Sequence, residues 1–372
     1  MAEFYRLDNQ IKHYEWGSPD YIPGLLGIPA DGRPHAELWM GGHPGAPSRA
    51  RLPGGLTQPV EVPYLFKLLA AEKPLSIQAH PSPERAREGF DRENREGLAP
   101  DAPNRNYRDP NHKPEIICAL TPFTGMCGFR APGEIAGLLA AFMETPPLRR
   151  GLAPLLRTLE APDPVRGFLA ALFALSRETR EAITDFVLQR KGGDPGEWAM
   201  VRGFAGLYPG DPAIIAPLYL NVFRLQPGEA VFLKAGVLHA YVRGFGVELM
   251  ANSDNVLRGG LTTKHVDVPE LMKVLDFSPL KPRIIRPDPG VSYFTYPVPC
   301  REFSLAVMRG NGGLATLAPD GPSICIVTEG EACVNGEPLR KGESIFVPPA
   351  GPGLEIRGSY TLHVASTGRD PA

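Results

Sequence analysis

One short stretch, residues 75–81, constrains the fold of this chain most strongly. It reads Leu-Ser-Ile-Gln-Ala-His-Pro and has strand character. Side chains of a strand alternate between its two faces, so Gln78 and His80 point the same way. Ile77 and Ala79 point the other way. A polar pair on one face of a strand that ends at a proline is either a surface edge or two ligands aimed into a barrel.

Proline and glycine interrupt most of the remaining chain. With 42 prolines and 41 glycines in 372 residues, many short strands and tight turns are favoured over long helices. This length predicts two or three domains. The formal net charge of −2 gives no electrostatic reason to expect nucleic acid or an anionic membrane as a partner. The sequence has no apolar run of membrane length, no signal-peptide core and no C-x-x-C pair, so we expect a soluble cytoplasmic protein with free cysteines.

Residues 131–208 differ in character from the rest of the chain. Helical spacing is present at 134–143, 165–175 and 178–189, and Ser176 is placed to cap the last of these helices. The segment contains no histidine and no cysteine. We predict a helical domain inserted in a β framework, with no chemistry of its own.

Residues 217–251 return to strands and carry further polar side chains. Strands are predicted at 219–225, 230–233, 237–242 and 247–250, with a turn at Gly244 and Gly246 before the last one. The spacing Gly228-x5-Lys234-x-Gly236-x2-His239 resembles the second sequence motif of the cupin superfamily, with Lys234 replacing the usual proline. Cupins are double-sheet jelly rolls, and their metal-binding histidines lie on strands that face the barrel interior.

Several stretches in a fixed order extend this resemblance to one family. The last of them packs many polar groups and two glycines into a single loop. Together they resemble the type I phosphomannose isomerases, over most of the chain outside the helical segment and the C-terminal part. The stretches are 14–17, 36–44, 75–81, 112–115, 239–241 and 253–264.

The resemblance implies one zinc ion per chain, held by four residues at matching positions. These residues are Gln78, His80, Glu115 and His239. Two imidazoles, one carboxylate and one amide oxygen suit zinc and leave room for water or substrate. A single carboxylate leaves the site net positive, and a neutral glutamine donates weakly, so the ion would remain a good Lewis acid.

The activity implied by the resemblance is the interconversion of mannose 6-phosphate and fructose 6-phosphate through an enediolate. Its oxyanion needs a fixed positive charge, which Arg258 and the metal would supply. A general acid or base must also move the proton. The sequence leaves four candidates for this role, namely Asp254, His112, Glu248 and Lys113.

The expected partner is a phosphorylated hexose, and a monomer is the expected oligomeric state. The phosphate requires cationic or hydroxyl donors. Candidates for these donors are Ser76, Lys67 and Lys264, with Arg258 shared between this role and the oxyanion.

Residues 291–372 are predicted to form a degenerate jelly-roll module without a metal. Gly342-x5-Pro348 imitates the start of the cupin motif, but no histidine follows in register, and His363 has a structural interpretation. The predicted fold class is mainly β with an inserted helical domain, built on cupin-type jelly rolls. The predicted domains are a catalytic jelly roll from 1–130 and 209–290, the insert 131–208 and the C-terminal module 291–372.

Two other functions stay open at this level. One is an Fe(II) cupin oxygenase, since two histidines and a carboxylate also describe the non-haem iron triad. The additional ligand Gln78 and the loop with Arg258 and Lys264 favour the isomerase instead. The other is a non-catalytic sugar-binding cupin, against which the complete ligand set and Arg258 both argue.

Overall fold

The computed structural model describes residues 4–190, 196–319, 321–349 and 353–368. Within these residues, antiparallel pairing joins 21 strands into two sheets. The strands are β1 Tyr5–Asp8, β2 Gln10–Lys12, β3 Glu37–Gly41, β4 Arg49–Arg51, β5 Thr57–Pro59, β6 Tyr64–Ala71, β7 Gln78–Ala79, β8 Glu115–Ala119, β9 Phe123–Phe129, β10 Leu220–Leu225, β11 Ala230–Leu233, β12 His239–Ala251, β13 Leu257–Arg258, β14 Ile284–Ile285, β15 Tyr293–Thr295, β16 Ser304–Asn311, β17 Ala315–Leu317, β18 Ser323–Val334, β19 Glu337–Arg340, β20 Ser344–Val347 and β21 Leu354–Ser366.

The helices concentrate between β9 and β10. In the described part of the chain they are α1 Tyr21–Leu26, α2 Pro83–Arg95, α3 Pro132–Leu139, α4 Pro146–Thr158, α5 Pro164–Phe173, α6 Arg177–Gln189, α7 Glu197–Leu207, α8 Ala216–Tyr219 and α9 Val268–Val274, with short 3-10 turns at Pro53–Gly55, Ala140–Glu144 and Pro212–Ile215. The hydroxyl of Ser176 accepts the N–H of Thr179, so the predicted cap of α6 is confirmed. None of the described helices has both the length and the apolar character that crossing a membrane requires.

The eleven-stranded sheet is organised around β12. It runs β14-β11-β8-β12-β6-β3-β2, while β7 and β9 pair with the first part of β12 and carry β13 and β10. Its side chains alternate between two environments. On β12, Val247 and Leu249 enter the core between the sheets, whereas Glu248 and Met250 line a cavity on the opposite face.

The predicted turn at Gly244 and Gly246 is wrong, because β12 continues through both glycines. Both positions lie against neighbouring strands at close range. A Cβ at Gly244 would come within 2.7 Å of the Phe123 ring, and one at Gly246 within 2.6 Å of the Cys118 carbonyl oxygen. Gly244 also has φ of 134°, which favours glycine. Here glycine permits close contact between strands, and the chain does not reverse its direction.

The ten-stranded sheet joins both ends of the described chain. Its order is β15-β16-β21-β18-β20-β1-β4-β5, with β17 on β21 and β19 on β18. Tyr5 on β1 pairs with Phe346 on β20. Strands β1, β4 and β5 of the predicted catalytic unit therefore share a sheet with the C-terminal strands. The predicted domain boundaries do not coincide with this division into sheets, and they stay a prediction.

The helical segment packs on the apolar side of β7. Ile77 and Ala79 are fully buried in one hydrophobic cluster with residues of α3 to α8. Their neighbour Gln78 lines the cavity on the other side. The alternation predicted for residues 75–81 thus separates a helix-packing face from a polar face.

Candidate metal centre and substrate cavity

A cavity of about 530 Å³ opens on the polar face of the eleven-stranded sheet. Strands β3, β6, β8 and β12 and the loops at their ends provide its walls. Nine of the residues predicted from the sequence line this cavity: Lys67, Ser76, Gln78, Lys113, Glu115, Glu248, Asp254, Arg258 and Lys264. The geometry therefore brings most of the predicted side chains together from distant parts of the chain.

Strand register places Gln78 between two other predicted site residues. Its Cα pairs with His239 on β12 and with Arg258 on β13. Residues directly opposite in antiparallel strands point to the same face of the sheet. Gln78, His239 and Arg258 consequently form a row of polar side chains on one face.

The tightest cluster in the site consists of His80, Glu115 and His239. The Nε2 of His80 lies 3.2 Å from Oε1 of Glu115, and the Nε2 of His239 lies 3.4 Å from Oε2. One donor atom from each residue falls within 4.8 Å of the other two. All three side chains are almost completely buried.

Backbone contacts fix which nitrogen of each imidazole carries hydrogen. Nδ1 of His80 is 2.7 Å from the carbonyl oxygen of Asn255, and Nδ1 of His239 is 2.9 Å from that of Val237. A carbonyl oxygen only accepts, so each Nδ1 donates and each Nε2 presents a lone pair. Burial lowers the pKa of His80 to about 4, which favours the neutral form that binds metals.

The cluster is short of hydrogen-bond donors. Within the described chain, both Nε2 atoms and the Oε2 of Glu115 are buried without a hydrogen-bond partner. Burial would raise the pKa of Glu115, but neighbouring groups, first among them the ammonium of Lys113, outweigh burial and hold the pKa well below its ordinary value. Acceptor atoms that face one another in a buried site are costly unless a cation lies between them. Two imidazole nitrogens and a carboxylate are a donor set that fits zinc.

A second buried polar group lies at the β3 and β6 side of the cavity. Nζ of Lys67 is 2.9 Å from Oε2 of Glu248 and 3.5 Å from Oε1 of Glu37. Burial alone would lower the pKa of Lys67, but the attraction of the two carboxylates outweighs it and raises the pKa. Burial raises the pKa of Glu248 despite the opposing effect of Lys67. The indole N–H of Trp39 donates to Glu37 at 2.7 Å, so Glu37 holds two cavity residues.

Arg258 and Lys264 add positive charge to the cavity wall. Burial, with repulsion from Arg108, lowers the pKa of the Arg258 guanidinium. Burial also lowers the pKa of Lys264, to which Arg258 and Arg108 add repulsion. Arginine remains protonated at neutral pH even so. The cationic groups Arg258 and Lys264 could therefore receive an anion in this cavity.

Two predicted proton-transfer candidates have different surroundings. His112 is not among the cavity-lining residues, and its Nε2 lies 2.6 Å from Oε1 of Glu302. Asp254 lines the cavity, with Oδ1 3.4 Å from Nε2 of His43. The N–H of Gly45 donates to Nδ1 of His43, so the hydrogen of the neutral ring is on Nε2. The contact with His43 lowers the pKa of Asp254.

Comparison with known proteins places the chain in a family. Residues 53–132 match the family model of the phosphomannose isomerase type I catalytic domain. Mannose-6-phosphate isomerase of Escherichia coli K12 is 36% identical over 392 residues, covering 96% of this chain and 98% of that protein. The Homo sapiens protein of the same name is 32% identical over 404 residues, covering 92% and 93%. The chain belongs to the type I phosphomannose isomerase family.

Solved structures of phosphomannose isomerases agree with the whole fold. A single-residue variant of phosphomannose isomerase from Salmonella typhimurium has a TM-score of 0.90 and 33% identity, covering 99% of this chain and all (100%) of that chain. A zinc-bound mannose 6-phosphate isomerase has a TM-score of 0.89 and 33% identity, with the same coverage. The likeness therefore includes both sheets and the helical segment.

In this phosphomannose isomerase family member, the helical segment also forms part of the cavity wall. Leu207 and Tyr208, at the end of α7, line the cavity, although the segment was predicted to carry no chemistry. The carboxylate of Asp211 accepts the N–H of Leu261 at 2.7 Å and that of Ala213 at 2.8 Å. Leu261 has φ of 52°, a left-handed conformation that costs a non-glycine residue roughly 1–2 kcal/mol. Asp211, three residues beyond the predicted insert, thus holds the loop between Arg258 and Lys264.

Glu37, His43 and Asp211 are not among the site residues predicted from the sequence. The only available signal for Glu37 and His43 is their position in the stretch 36–44, which carries the family resemblance. Asp211 has no comparable signal, because its role depends on a contact with a loop 50 residues away.

Proposed function

We propose that this protein is a zinc-dependent aldose–ketose isomerase that interconverts mannose 6-phosphate and fructose 6-phosphate. The observation that carries the proposal is the buried cluster of unpartnered acceptors from His80, Glu115 and His239, beside a cavity that contains Arg258. Support also comes from the curated relatives, whose name is mannose-6-phosphate isomerase, and from a solved structural relative that is zinc-bound.

The proposed zinc ligands are the Nε2 atoms of His80 and His239, a carboxylate oxygen of Glu115 and the amide oxygen of Gln78. One zinc ion per chain would supply Lewis acidity to an oxygen of the open-chain sugar. The register that places Gln78 opposite His239 supports its inclusion. The hydrogen bonds on both Nδ1 atoms keep each Nε2 available as a ligand.

The charge distribution suggests how the substrate is oriented. Arg258 stabilises negative charge on the enediolate oxygens, because its guanidinium stays protonated in this partly buried site. Lys264 and Ser76 are the proposed phosphate donors. Lys67 has a different position, since it pairs with two carboxylates, so we propose that it neutralises that side of the cavity.

Proton transfer requires a group whose pKa approaches neutral pH. Among the cavity-lining candidates, Glu248 has a pKa that burial raises, and we propose it as the residue that moves the proton. Asp254 and Lys113 are the alternatives on the cavity wall. His112 receives no role in this scheme, because it lies outside the lining and pairs with Glu302.

The finer fold assignment is also a proposal. We assign the sheets to cupin-type jelly rolls, with a catalytic unit from 1–130 and 209–290, a helical insert at 131–208 and a degenerate module at 291–372. The alternation of core and cavity residues along β12 supports the catalytic jelly roll. A cytoplasmic location and a monomeric state remain predictions from the sequence.

A coupled assay with mannose 6-phosphate on metal-stripped and zinc-restored protein tests the function. We expect turnover to disappear with the metal and to return with zinc, in air and in anaerobic buffer alike. Zinc-restored protein without turnover would contradict the proposal. A requirement for oxygen would instead favour the iron oxygenase.

A further inference from the structure

We propose that Asn255 is a positioning residue that holds His80 and the loop before Glu115 in one arrangement. The inference rests on the proposed function, because it assumes that these two residues bind zinc. Asn255 follows the cavity residue Asp254, and its own side chain is completely buried. It therefore acts on the site through its hydrogen bonds and without contact with the substrate.

The backbone of Asn255 fixes one metal ligand. Its carbonyl oxygen accepts the Nδ1–H of His80 at 2.7 Å, which orients the imidazole and directs the Nε2 lone pair toward Glu115. A partner of this kind sets both the tautomer and the ring direction of a histidine ligand. A shift of this carbonyl would turn the imidazole out of the cluster.

The side chain of Asn255 fixes the loop that leads to the other ligand. Its Oδ1 accepts the backbone N–H groups of Arg108 at 2.7 Å and Asp109 at 3.2 Å. Its Nδ2 donates to the backbone oxygens of Asp109 at 2.7 Å and Asn111 at 2.8 Å. The amide thus uses both donors and both acceptor positions on residues 108–111.

Neighbouring contacts make the two loops a single unit. Ser253 Oγ accepts the N–H of Asn255 and donates to the Asn111 carbonyl, both at 3.2 Å. The N–H of Asp254 donates to Asp109 at 2.8 Å. The 108–111 loop continues directly into the strand that begins at Glu115. Asn255 consequently connects His80, through its backbone carbonyl, to the loop that leads to Glu115, through its side-chain amide.

Zinc affinity is the measurement that separates positioning from a purely structural role. In Asn255→Asp, a second oxygen replaces the amide nitrogen and faces two carbonyl oxygens at nearly constant volume. We expect the zinc dissociation constant, measured by competition with a chromophoric chelator, to increase about 10–100-fold. Asn106→Ala is the matched control, because its buried amide lies in the same loop but donates to Asp267. Its zinc dissociation constant should stay near that of the wild type.

An unchanged zinc dissociation constant in folded Asn255→Asp would overturn the proposal, as would an equal loss of affinity in Asn106→Ala. If Asn255→Asp does not fold, Ser253→Ala takes its place, with a smaller weakening expected and an unchanged value again contradicting the proposal. Zinc binding by the wild type without isomerisation would overturn the proposed function alone. Absence of zinc binding by the wild type would overturn both.

Discussion

His239 and His363 are both buried histidines. Each lies on the longest described strand of its sheet, His239 on β12 and His363 on β21. Their nitrogens have different partners. Nε2 of His239 is unpartnered and faces Glu115, whereas Nδ1 of His363 lies 3.1 Å from the Thr328 hydroxyl and Nε2 lies 3.9 Å from Cys118 Sγ. Of these two histidines, only His239 has an unpartnered ring nitrogen that faces a carboxylate.

The charges near the two sites also differ, since an arginine lies near His363 and a carboxylate lies near His80. Burial lowers the pKa of His363 to about 3, and Arg309 adds repulsion. At the other site, attraction between Glu115 and His80 opposes the effect of burial on the histidine. A cation would be repelled near Arg309 and attracted near Glu115. The ten-stranded sheet therefore contains a packed histidine, and the eleven-stranded sheet contains the proposed zinc ligands.

The largest contrast is expected from the same substitution at both histidines. His239→Gln removes a proposed ligand, so zinc content after dialysis should fall from one ion per chain toward zero and isomerisation should be lost. His363→Gln should retain the zinc and the activity, although it loses stability. Equal zinc content in the two variants would contradict the claim that His239 binds zinc and His363 does not.

A smaller contrast is expected from the arginine of each site. Arg258→Ala should lower kcat about 10²–10³-fold, because it removes a charge that stabilises the enediolate. Arg309→Ala removes the cation beside His363 and should leave kcat within about twofold of the wild type, because Arg309 lies on β16 of the other sheet and does not line the cavity. Arg258→Lys keeps the charge without the planar fork and should recover only part of the rate. Wild-type turnover in Arg258→Ala would contradict its assignment.

The smallest contrast concerns pH and stability. Burial lowers the pKa of His363 to about 3 in the folded protein, below the ordinary value of 6.5 for a histidine side chain. Between these values the unfolded chain binds the proton and the folded protein does not, so stability falls as pH decreases through this window. His363 alone accounts for a slope of about 1.4 kcal/mol per pH unit. Urea unfolding at several pH values should show a shallower dependence in His363→Gln, and an unchanged slope would contradict the assigned pKa.

Local patterns were sufficient for much of the fold. The strand at Ala230–Leu233 matches its predicted bounds, and the helices at Pro164–Phe173 and Arg177–Gln189 lie where the spacing predicts them. These elements follow from alternation, helical periodicity and capping, which depend on neighbouring residues. The pairing of Tyr5 with Phe346 depends on chain segments far apart in sequence, and no local pattern predicts it.

In the candidate site, too, local sequence patterns do not predict contacts between distant segments. The common face of Gln78 and His80 follows from the two-residue repeat of a strand. The roles of Asn255 and Asp211 come from contacts with loops that are distant in the sequence, so residue type alone does not indicate them. His112 is an instructive contrast. Its position three residues before Glu115 suggested the site, but its ring is directed to Glu302.

Anomalous diffraction at the zinc edge, from crystals of zinc-loaded protein, tests the central claim most directly. We expect one peak per chain, at about 2.0–2.2 Å from the Nε2 atoms of His80 and His239 and from a carboxylate oxygen of Glu115. The Gln78 amide oxygen should complete the protein ligands. A peak at His363, or no peak within the His80, Glu115 and His239 cluster, would contradict the claim that this cluster is the metal centre.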